Sequence, residues 1–134
     1  MQAEDVARAF VDAINSGSVE NLSELMTPNH VFIDSDGSEI SGHESMREGW
    51  ANYLAMVPDY KVEVERTLVR DNMVVFLGIA SGTFIQEGSL KPENHWTVPA
   101  AWRAVVENEK IAVWQLYVNP EPMQQIMERM SDKT

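Results

Sequence analysis

The chain has 134 residues, no cysteine and a formal net charge of -11 at pH 7, from 21 acidic and 10 basic residues. This length predicts a single domain over residues 1–134, and the lack of cysteine excludes disulfides, thiolate chemistry and cysteine-bound zinc. The acidic balance would repel phosphate groups, so we expect no nucleic-acid partner and no membrane partner. Short apolar runs and the lack of a secretory-signal pattern at the first residues favour a cytoplasmic protein.

The first half of the chain predicts three helices and one strand. Apolar residues recur at three- and four-residue spacing before Gly17 and again before Pro58, which is typical of amphipathic helices that end at a helix-breaking residue. A shorter apolar stripe begins near Ser18, and a β-branched and aromatic run leads into the Asp36-Gly37 turn signal. The predicted helices are residues 3–16, 18–26 and 43–56, and the predicted strand is residues 30–34.

The second half of the chain predicts four strands and a tail helix. Apolar residues alternate with polar ones from 60 to 69, as in a strand with one wet face. The run after the Asp71-Asn72 turn is apolar on both faces and favours a central strand, and a polar loop is expected at 86–89. Pro99 lies inside the next strand and predicts a bulge there. The predicted strands are residues 60–69, 73–80, 95–106 and 111–118, and the tail helix follows Pro120 and Pro122.

The order of these elements is helix, helix, strand, helix and then strands, which leaves no βαβ alternation for a parallel sheet. It predicts an α+β fold in which three N-terminal helices pack on a strongly curved, mostly antiparallel sheet. Such an arrangement encloses a cone with an apolar interior. A small apolar or aromatic molecule is therefore the expected partner.

Five segments together carry a resemblance to a known family. They are residues 10–17, 32–34, 41–43, 101–103 and 110–114. With them the chain resembles the SnoaL-like branch of the NTF2-like superfamily, the group that includes ketosteroid isomerases and polyketide cyclases. The resemblance implies the NTF2-like, cystatin-like cone over the whole chain. It implies no single chemistry, because this fold hosts isomerases, cyclases, dehydratases, epoxide hydrolases and non-catalytic binders.

The resemblance places Asp34 where ketosteroid isomerases carry the aspartate that moves a proton next to a carbonyl group. The oxyanion donors of those enzymes fall on Phe10 and Ala100, whose side chains cannot donate a hydrogen bond. Losing one such donor costs roughly a hundred- to a thousandfold in rate, so ketosteroid isomerase activity itself is not expected. Epoxide-hydrolase members need an arginine between two aspartates, and Arg103 has no aspartate near it on its strand.

Asp34 and His43 are the two catalytic candidates. A carboxylate at the end of an apolar strand is a usable base if it points into a low-dielectric pocket, and otherwise it caps the turn that follows. His43 would act as a second acid or base, or else lie exposed in the first turn of its helix. His30, His43 and His95 show no metal-ligand spacing, so we expect neither a metal nor another cofactor.

The resemblance also turns one face of the last two long strands toward the cone interior. Residues two apart on a strand share a face, and the helices would place aromatic side chains opposite that face. The alternative is that these rings only fill the core. The expected ligand-binding residues are Phe10, Trp50, Tyr53, Trp96, Val98, Ala100, Trp102, Trp114 and Leu116.

Arg103, Ile111, Val113 and Tyr117 are expected on the opposite, convex face of the sheet. Apolar and polar groups are mixed on this face, as they are in subunit interfaces. The pattern therefore predicts a homodimer that forms through the convex face.

Three functions are consistent with these features. The first is a cofactor-free isomerase or cyclase that acts on an apolar, carbonyl-bearing metabolite with Asp34 as general base. The second is a non-catalytic protein that binds a small apolar ligand in the same cavity. The third is a dimeric interaction module whose cone is filled by its own side chains.

Overall fold

The computed structural model describes residues 1–132, which form four helices and six strands. In chain order these are α1 (Ala3–Asn15), α2 (Val19–Glu24), β1 (Met26–Ile33), β2 (Glu39–Ser41), α3 (His43–Met56), β3 (Lys61–Arg70), β4 (Met73–Gln86), β5 (Ser89–Glu107), β6 (Lys110–Val118) and α4 (Glu121–Ser131). Within these residues, no helix is both long enough and apolar enough to cross a membrane.

The six strands form one sheet in the order β2-β1-β6-β5-β4-β3. Only the pair β1 and β6 is parallel, and every other neighbouring pair in this sheet is antiparallel. The last strand, β6, therefore lies between the strands of the first half and those of the second half and joins them. The predicted α+β class with a mostly antiparallel sheet is confirmed.

Irregular pairing bends the sheet. The register shifts between β1 and β6, β3 and β4, β4 and β5, and β5 and β6, and such bulges bend and twist the strands that carry them. In β3 the shift falls between Val64 and Arg66. Gly78 of β4 lies so close to this bulge that a Cβ atom on it would be 1.8 Å from the Glu63 carbonyl oxygen. Only glycine permits this approach of two backbones.

The four helices all contribute apolar side chains to one core. α1 packs against β3, β4, β5 and β6 and buries Val6 and Phe10 completely. Leu22 of α2, Trp50 of α3 and Ile126 of α4 belong to the same core. The predicted bounds of α3 are confirmed, and those of α1 hold to within one residue.

The second helix is shorter, and the first strand longer, than predicted. α2 ends at Glu24 and β1 begins at Met26, whereas we expected the helix to reach residue 26 and the strand to begin at residue 30. The Leu25 carbonyl accepts a hydrogen bond of 2.7 Å from the backbone N–H of Ile111. This bond brings the chain into the sheet directly after the helix, before Pro28 is reached.

The polar loop expected at 86–89 is a tight hairpin. β4 runs to Gln86 and β5 begins at Ser89, so Glu87 and Gly88 alone form the turn, with φ angles of 52° and 77°. Two residues with positive φ match the turn that best fits the twist of a hairpin. The buried Asn94 side chain donates a hydrogen bond of 3.1 Å to the Gln86 side chain and so holds the extended hairpin together.

Pro99 does not produce the expected bulge. It pairs with Ile79 of β4 in regular register, and pairing with β6 begins one residue later, where Ala100 lies opposite Val118. Because Pro99 lies beyond the end of β6, its missing N–H removes no bond to that strand. The strand keeps its parity, and Trp102 is buried on the core side.

Ile111 does not lie on the convex face, and this part of the prediction is wrong. Val105 pairs with Val113, but Val106 pairs with Ile111, so a bulge at Ala112 separates the two halves of β6. The bulge turns Ile111 into the core, where it is fully buried. The bulge could not be read from the residues because Ile111 and Val113 are both β-branched and suit either face.

Candidate functional site

The core contains a continuous run of rings, here called the aromatic cluster. The ring centroids of contacting members lie 4.8–6.5 Å apart, distances at which aromatic pairs attract each other. Tyr60 lies in the middle, with Trp50 at 6.5 Å and Trp96 at 6.0 Å. The members are Phe10, His30, Trp50, Tyr53, Tyr60, Phe84, Trp96 and Trp114.

Five of the nine expected ligand-binding residues belong to this cluster. Of the other four, Trp102 and Val98 are buried in the same core. Ala100 and Leu116 are half-buried and pack against its edge. The structure therefore brings all nine to one core, with the half-buried members at its border.

The two tyrosines of the cluster keep their protons at neutral pH. Burial raises the pKa of Tyr53, and the neighbouring Tyr60 and the charge of Asp34 act in the same direction. Burial also raises the pKa of Tyr60 to about 12, against an opposing hydrogen bond from Trp102 and with a smaller contribution from Asp34. Both phenols are therefore neutral hydroxyl groups, able to donate a hydrogen bond.

Asp34 lies at the border of the core rather than among Phe10, Trp102 and Trp114. Its side chain is exposed, and its Oδ1 accepts a hydrogen bond of 2.7 Å from the Ser35 backbone N–H. Asp34 therefore caps the turn that follows it. The carboxylate is nonetheless close enough to the cluster for its charge to raise the pKa of both tyrosines.

Strand register gives the direction in which Asp34 lies. Phe32 of β1 pairs with Trp114 of β6, and Ile33 pairs with Gln115. Asp34 is the first residue after β1, and continued strand alternation would place it on the same side of the sheet as Phe32, level with Leu116. Leu116 in turn pairs with Trp102. Asp34 therefore lies at the end of β1 beside this part of the sheet, with its side chain exposed.

Two indole N–H groups of the cluster have no hydrogen-bond partner among the described residues. They belong to Trp50, which is 6% exposed, and Trp96, which is 4% exposed. Space around Trp96 is tight because Gly82 lies against it: a Cβ atom on Gly82 would be 3.1 Å from the indole carbon Cζ2. A buried donor without a partner costs roughly 1–3 kcal/mol, so these groups are unusual in a folded core.

His30 is fully buried beside Phe10, with ring centroids 6.2 Å apart. Its Nδ1 lies 2.7 Å from the carbonyl oxygen of Ile111, which can only accept, so Nδ1 carries the proton of the neutral ring. Its Nε2 has no partner among the described residues. Burial lowers the pKa of His30, opposed by the bond to Ile111 and assisted by His43.

His43 is not brought to Asp34. Its Nε2 lies 2.8 Å from the Ser23 carbonyl oxygen and 3.1 Å from the Ser23 hydroxyl, which ties the start of α3 to the end of α2. The adjacent Gly42 N–H donates to the His30 carbonyl, so this end of α3 lies beside His30, four residues before Asp34. At a strand rise of about 3.3 Å per residue, that is roughly 13 Å from Asp34.

His95 takes part in a separate network at the other end of the sheet. The Thr83 hydroxyl donates to Asp59 Oδ2 at 2.7 Å and lies 2.8 Å from His95 Nδ1. The Thr83 N–H donates to Asp59 Oδ1 at 2.7 Å. β3 begins opposite Ser81, so no residue of β3 pairs with Thr83. The Asp59 carboxylate accepts the hydrogen bond that the Thr83 N–H would otherwise donate to a strand residue. This network completes the edge of β4, and the exposed His95 points away from the cluster.

Within residues 1–132, no three histidine, aspartate or glutamate side chains converge into a possible metal site. The described residues that converge at the core border are aromatic and aliphatic, with the Asp34 carboxylate as the charged group. This arrangement suits a neutral organic ligand and a single proton-accepting oxygen.

Tyr60, His30 and Phe84 are members of the aromatic cluster that were not predicted from the sequence. Tyr60 precedes Val62 by two residues, and Val62 is 2% exposed on the core face, so strand parity could have placed Tyr60 there. His30 precedes Phe32 in the same way. A histidine at the start of a strand gives no signal of complete burial, because its partner is a backbone carbonyl 81 residues away.

Comparison with known proteins places this geometry in a family. The model of the SnoaL-like domain matches residues 7–114, which include α3, Asp34, most of α1 and the whole aromatic cluster. The chain belongs to the SnoaL-like domain family. A search of the curated proteins found no match.

Solved structures of SnoaL-like and related proteins share the fold at low sequence identity. A candidate SnoaL-like polyketide cyclase from Shewanella denitrificans OS-217 is 12% identical, with a TM-score of 0.81 over 95% of this chain and 97% of that one. A protein with a ketosteroid isomerase-like fold from Catenulispora acidiphila DSM 44928, solved with trimethylamine, is 18% identical, with a TM-score of 0.78 over 97% of both chains. An LEH-like epoxide hydrolase from M. tuberculosis is 14% identical, with a TM-score of 0.78 over 97% and 92%. These likenesses establish the shared fold.

Proposed function

We propose that this SnoaL-like protein binds a small apolar ketone at the border of the aromatic cluster and removes a proton from the carbon next to its carbonyl group. The observation that carries the proposal is the position of Asp34. Its carboxylate lies directly after β1 at the border of the core, and its charge acts on Tyr53 and Tyr60.

The half-buried residues at the core border support this location for the ligand. Tyr53, Ala100 and Leu116 pack on the core and remain partly open to solvent. An apolar ring that packs against these residues would bury apolar surface, and this burial favours binding by roughly 25 cal/mol per Å². The family also supports a small organic substrate, because related structures are described as a polyketide cyclase and an epoxide hydrolase.

The chemistry needs no cofactor. Asp34 Oδ2 has no hydrogen-bond partner among the described residues, so it is free to accept a proton. In the proposed step the C–H proton passes to Asp34, and the electron pair moves to the carbonyl oxygen as an enolate. The proton then returns to carbon, or the enolate carbon attacks a second carbonyl group and closes a ring, and the alkoxide so formed takes the proton back from Asp34. General base catalysis of this kind contributes typically 10²–10⁴-fold.

The test is hydrogen–deuterium exchange at the carbon next to the carbonyl of 1-indanone, followed by proton NMR in D₂O. We expect the wild-type protein to accelerate exchange and Asp34→Asn to return the rate to background, a loss of about 10²–10⁴-fold. Asp36→Asn is the matched control, because it removes the same charge from the same turn two residues away. Its rate should equal that of the wild type.

Equal exchange rates for the wild type and Asp34→Asn would contradict the assignment of Asp34 as the base. If 1-indanone still bound under that outcome, the protein would be a non-catalytic binder. One observation favours this second candidate: Asp34 is exposed and already caps the turn through Ser35. The third alternative, a dimeric interaction module whose cone is filled by its own side chains, would be favoured if 1-indanone did not bind at all.

A further inference from the structure

The aromatic cluster contains two indole hydrogen-bond donors, both in rings that pack on Tyr60. Trp50 and Trp96 each direct an indole N–H into the core, and neither N–H has an acceptor among the described residues. Both side chains are more than nine-tenths buried. Both rings pack on the same neighbour, at 6.5 and 6.0 Å from the Tyr60 centroid.

We propose that the indole N–H groups of Trp50 and Trp96 form a subsite for an acceptor oxygen of the ligand, namely a carbonyl or enolate oxygen. An indole can donate a hydrogen bond and cannot accept one. A ligand hydroxyl that also needed to donate would find no acceptor on these two rings. The subsite therefore selects ketone-type oxygens over alcohols and amines at this end of the ligand.

The hydroxyl groups of the neighbouring Tyr53 and Tyr60 also favour a ligand that accepts hydrogen bonds. Burial raises the pKa of Tyr53 and Tyr60, so both phenols retain their protons. Neither hydroxyl donates a hydrogen bond to another described residue within the usual distance. The phenols and the indoles are thus neutral donors of the cluster, while Asp34 supplies the acceptor at the border of the core.

This inference rests on the proposed function, because it assigns the orientation of the same ligand. A carbonyl oxygen that accepts hydrogen bonds from Trp50 and Trp96 would fix the orientation of the ligand relative to Asp34. The N–H groups would strengthen their bonds as negative charge develops on that oxygen. Removing one such donor typically slows a reaction by about 10²–10³-fold.

The experiment compares two probes of one shape, 1-indanone and indane, which differ by a carbonyl oxygen. Their affinities are measured for the wild type, Trp50→Phe and Trp96→Phe. Each substitution keeps a ring and removes the N–H, and we expect it to weaken 1-indanone binding by about five- to tenfold. Indane binding should change by less than about twofold in the same variants, because it makes no such bond.

The wild-type protein gives an independent measurement that needs no substitution. In ¹⁵N-labelled protein the Nε1–H resonances of Trp50 and Trp96 should move downfield with 1-indanone and stay in place with indane. Unmoved indole resonances, or equal losses for both probes in the variants, would overturn the subsite. The Asp34-dependent exchange would still stand in that case. If the wild type bound neither probe, the subsite and the proposed function would both be wrong.

Discussion

Replacing Gly78 with alanine tests the bend that gives the sheet its shape. The new Cβ atom would lie 1.8 Å from the Glu63 carbonyl oxygen and 3.2 Å from the Glu65 backbone nitrogen. Contacts of Cβ atoms below 3.0 Å are essentially never seen, so β3 and β4 must separate by more than about 1 Å at the bulge. Both obstacles are backbone atoms, and no side-chain rotation relieves them.

The cost follows from these contacts. Overpacking costs about 1–3 kcal/mol, and the loss of one or two strand hydrogen bonds adds about 1 kcal/mol each. We therefore expect Gly78→Ala to lower the free energy of unfolding by about 2–5 kcal/mol. With an unfolding entropy of about 2.1 cal/mol/K per residue, this corresponds to a fall in Tm of roughly 7–18 °C. Urea titration and a thermal scan, both followed by circular dichroism, measure it.

Gly49→Ala is the matched control. Gly49 lies inside α3, where a new Cβ atom would meet only the Met46 side chain at an ordinary 3.6 Å. Alanine is the better helix former by about 1 kcal/mol, so this variant should be slightly more stable than the wild type. If Gly78→Ala lost less than about 1 kcal/mol, the close approach of β3 and β4 at the bulge would be refuted.

Three further outcomes are expected. Burial lowers the pKa of His30, so the unfolded chain binds a proton at this histidine more tightly than the folded chain does. The free energy of unfolding should therefore fall as pH drops below about 6.5 toward the pKa of the folded state. His30→Gln should flatten this pH dependence in urea titrations. Gly82→Ala would place a methyl group 2.4 Å from Val57 Cγ1 and 3.1 Å from the Trp96 ring, so it should weaken 1-indanone binding at least fivefold by calorimetry while the fold persists. Tyr117 is 50% exposed on the convex face, and Tyr117→Lys should convert the proposed dimer to a 15.1 kDa monomer in light scattering; a wild type that is already monomeric would contradict the dimer.

Regular periodicity explains what could be predicted from the sequence. The apolar stripe of α3 and the alternation of β5 each repeat a single geometric period, so the inward positions of Trp50, Trp96 and Trp102 could be predicted. For Asp34 the sequence leaves two alternatives open, a base that points into the pocket and a cap of the turn. The exposure of Asp34 could not be predicted, because it depends on whether the Ser35 N–H or a buried group donates a hydrogen bond to the carboxylate.

The remaining features depend on irregular positions and distant partners. The bulge at Ala112 shifts the parity of one strand by one residue and buries Ile111, and no local property of these residues requires it. The burial of His30 likewise depends on the Ile111 carbonyl, which reaches it only after β6 has paired with β1. Hydrogen-bond donors without an acceptor, such as the Trp50 N–H, cannot be predicted from a sequence pattern, because the lack of an acceptor becomes evident only in the folded structure.

The charge of the protein and its hydrogen-bonding groups together narrow the range of suitable ligands further than either does alone. Donors such as the Trp50 and Trp96 N–H groups would suit a carboxylate as well as a ketone. The chain, however, carries a net charge of -11, and the Asp34 carboxylate lies at the border that a ligand must cross. An anion would be repelled by both, most strongly at short distance from Asp34. A neutral carbonyl compound meets the donors without that penalty, and it also carries the weakly acidic C–H bond on which a single carboxylate base can act.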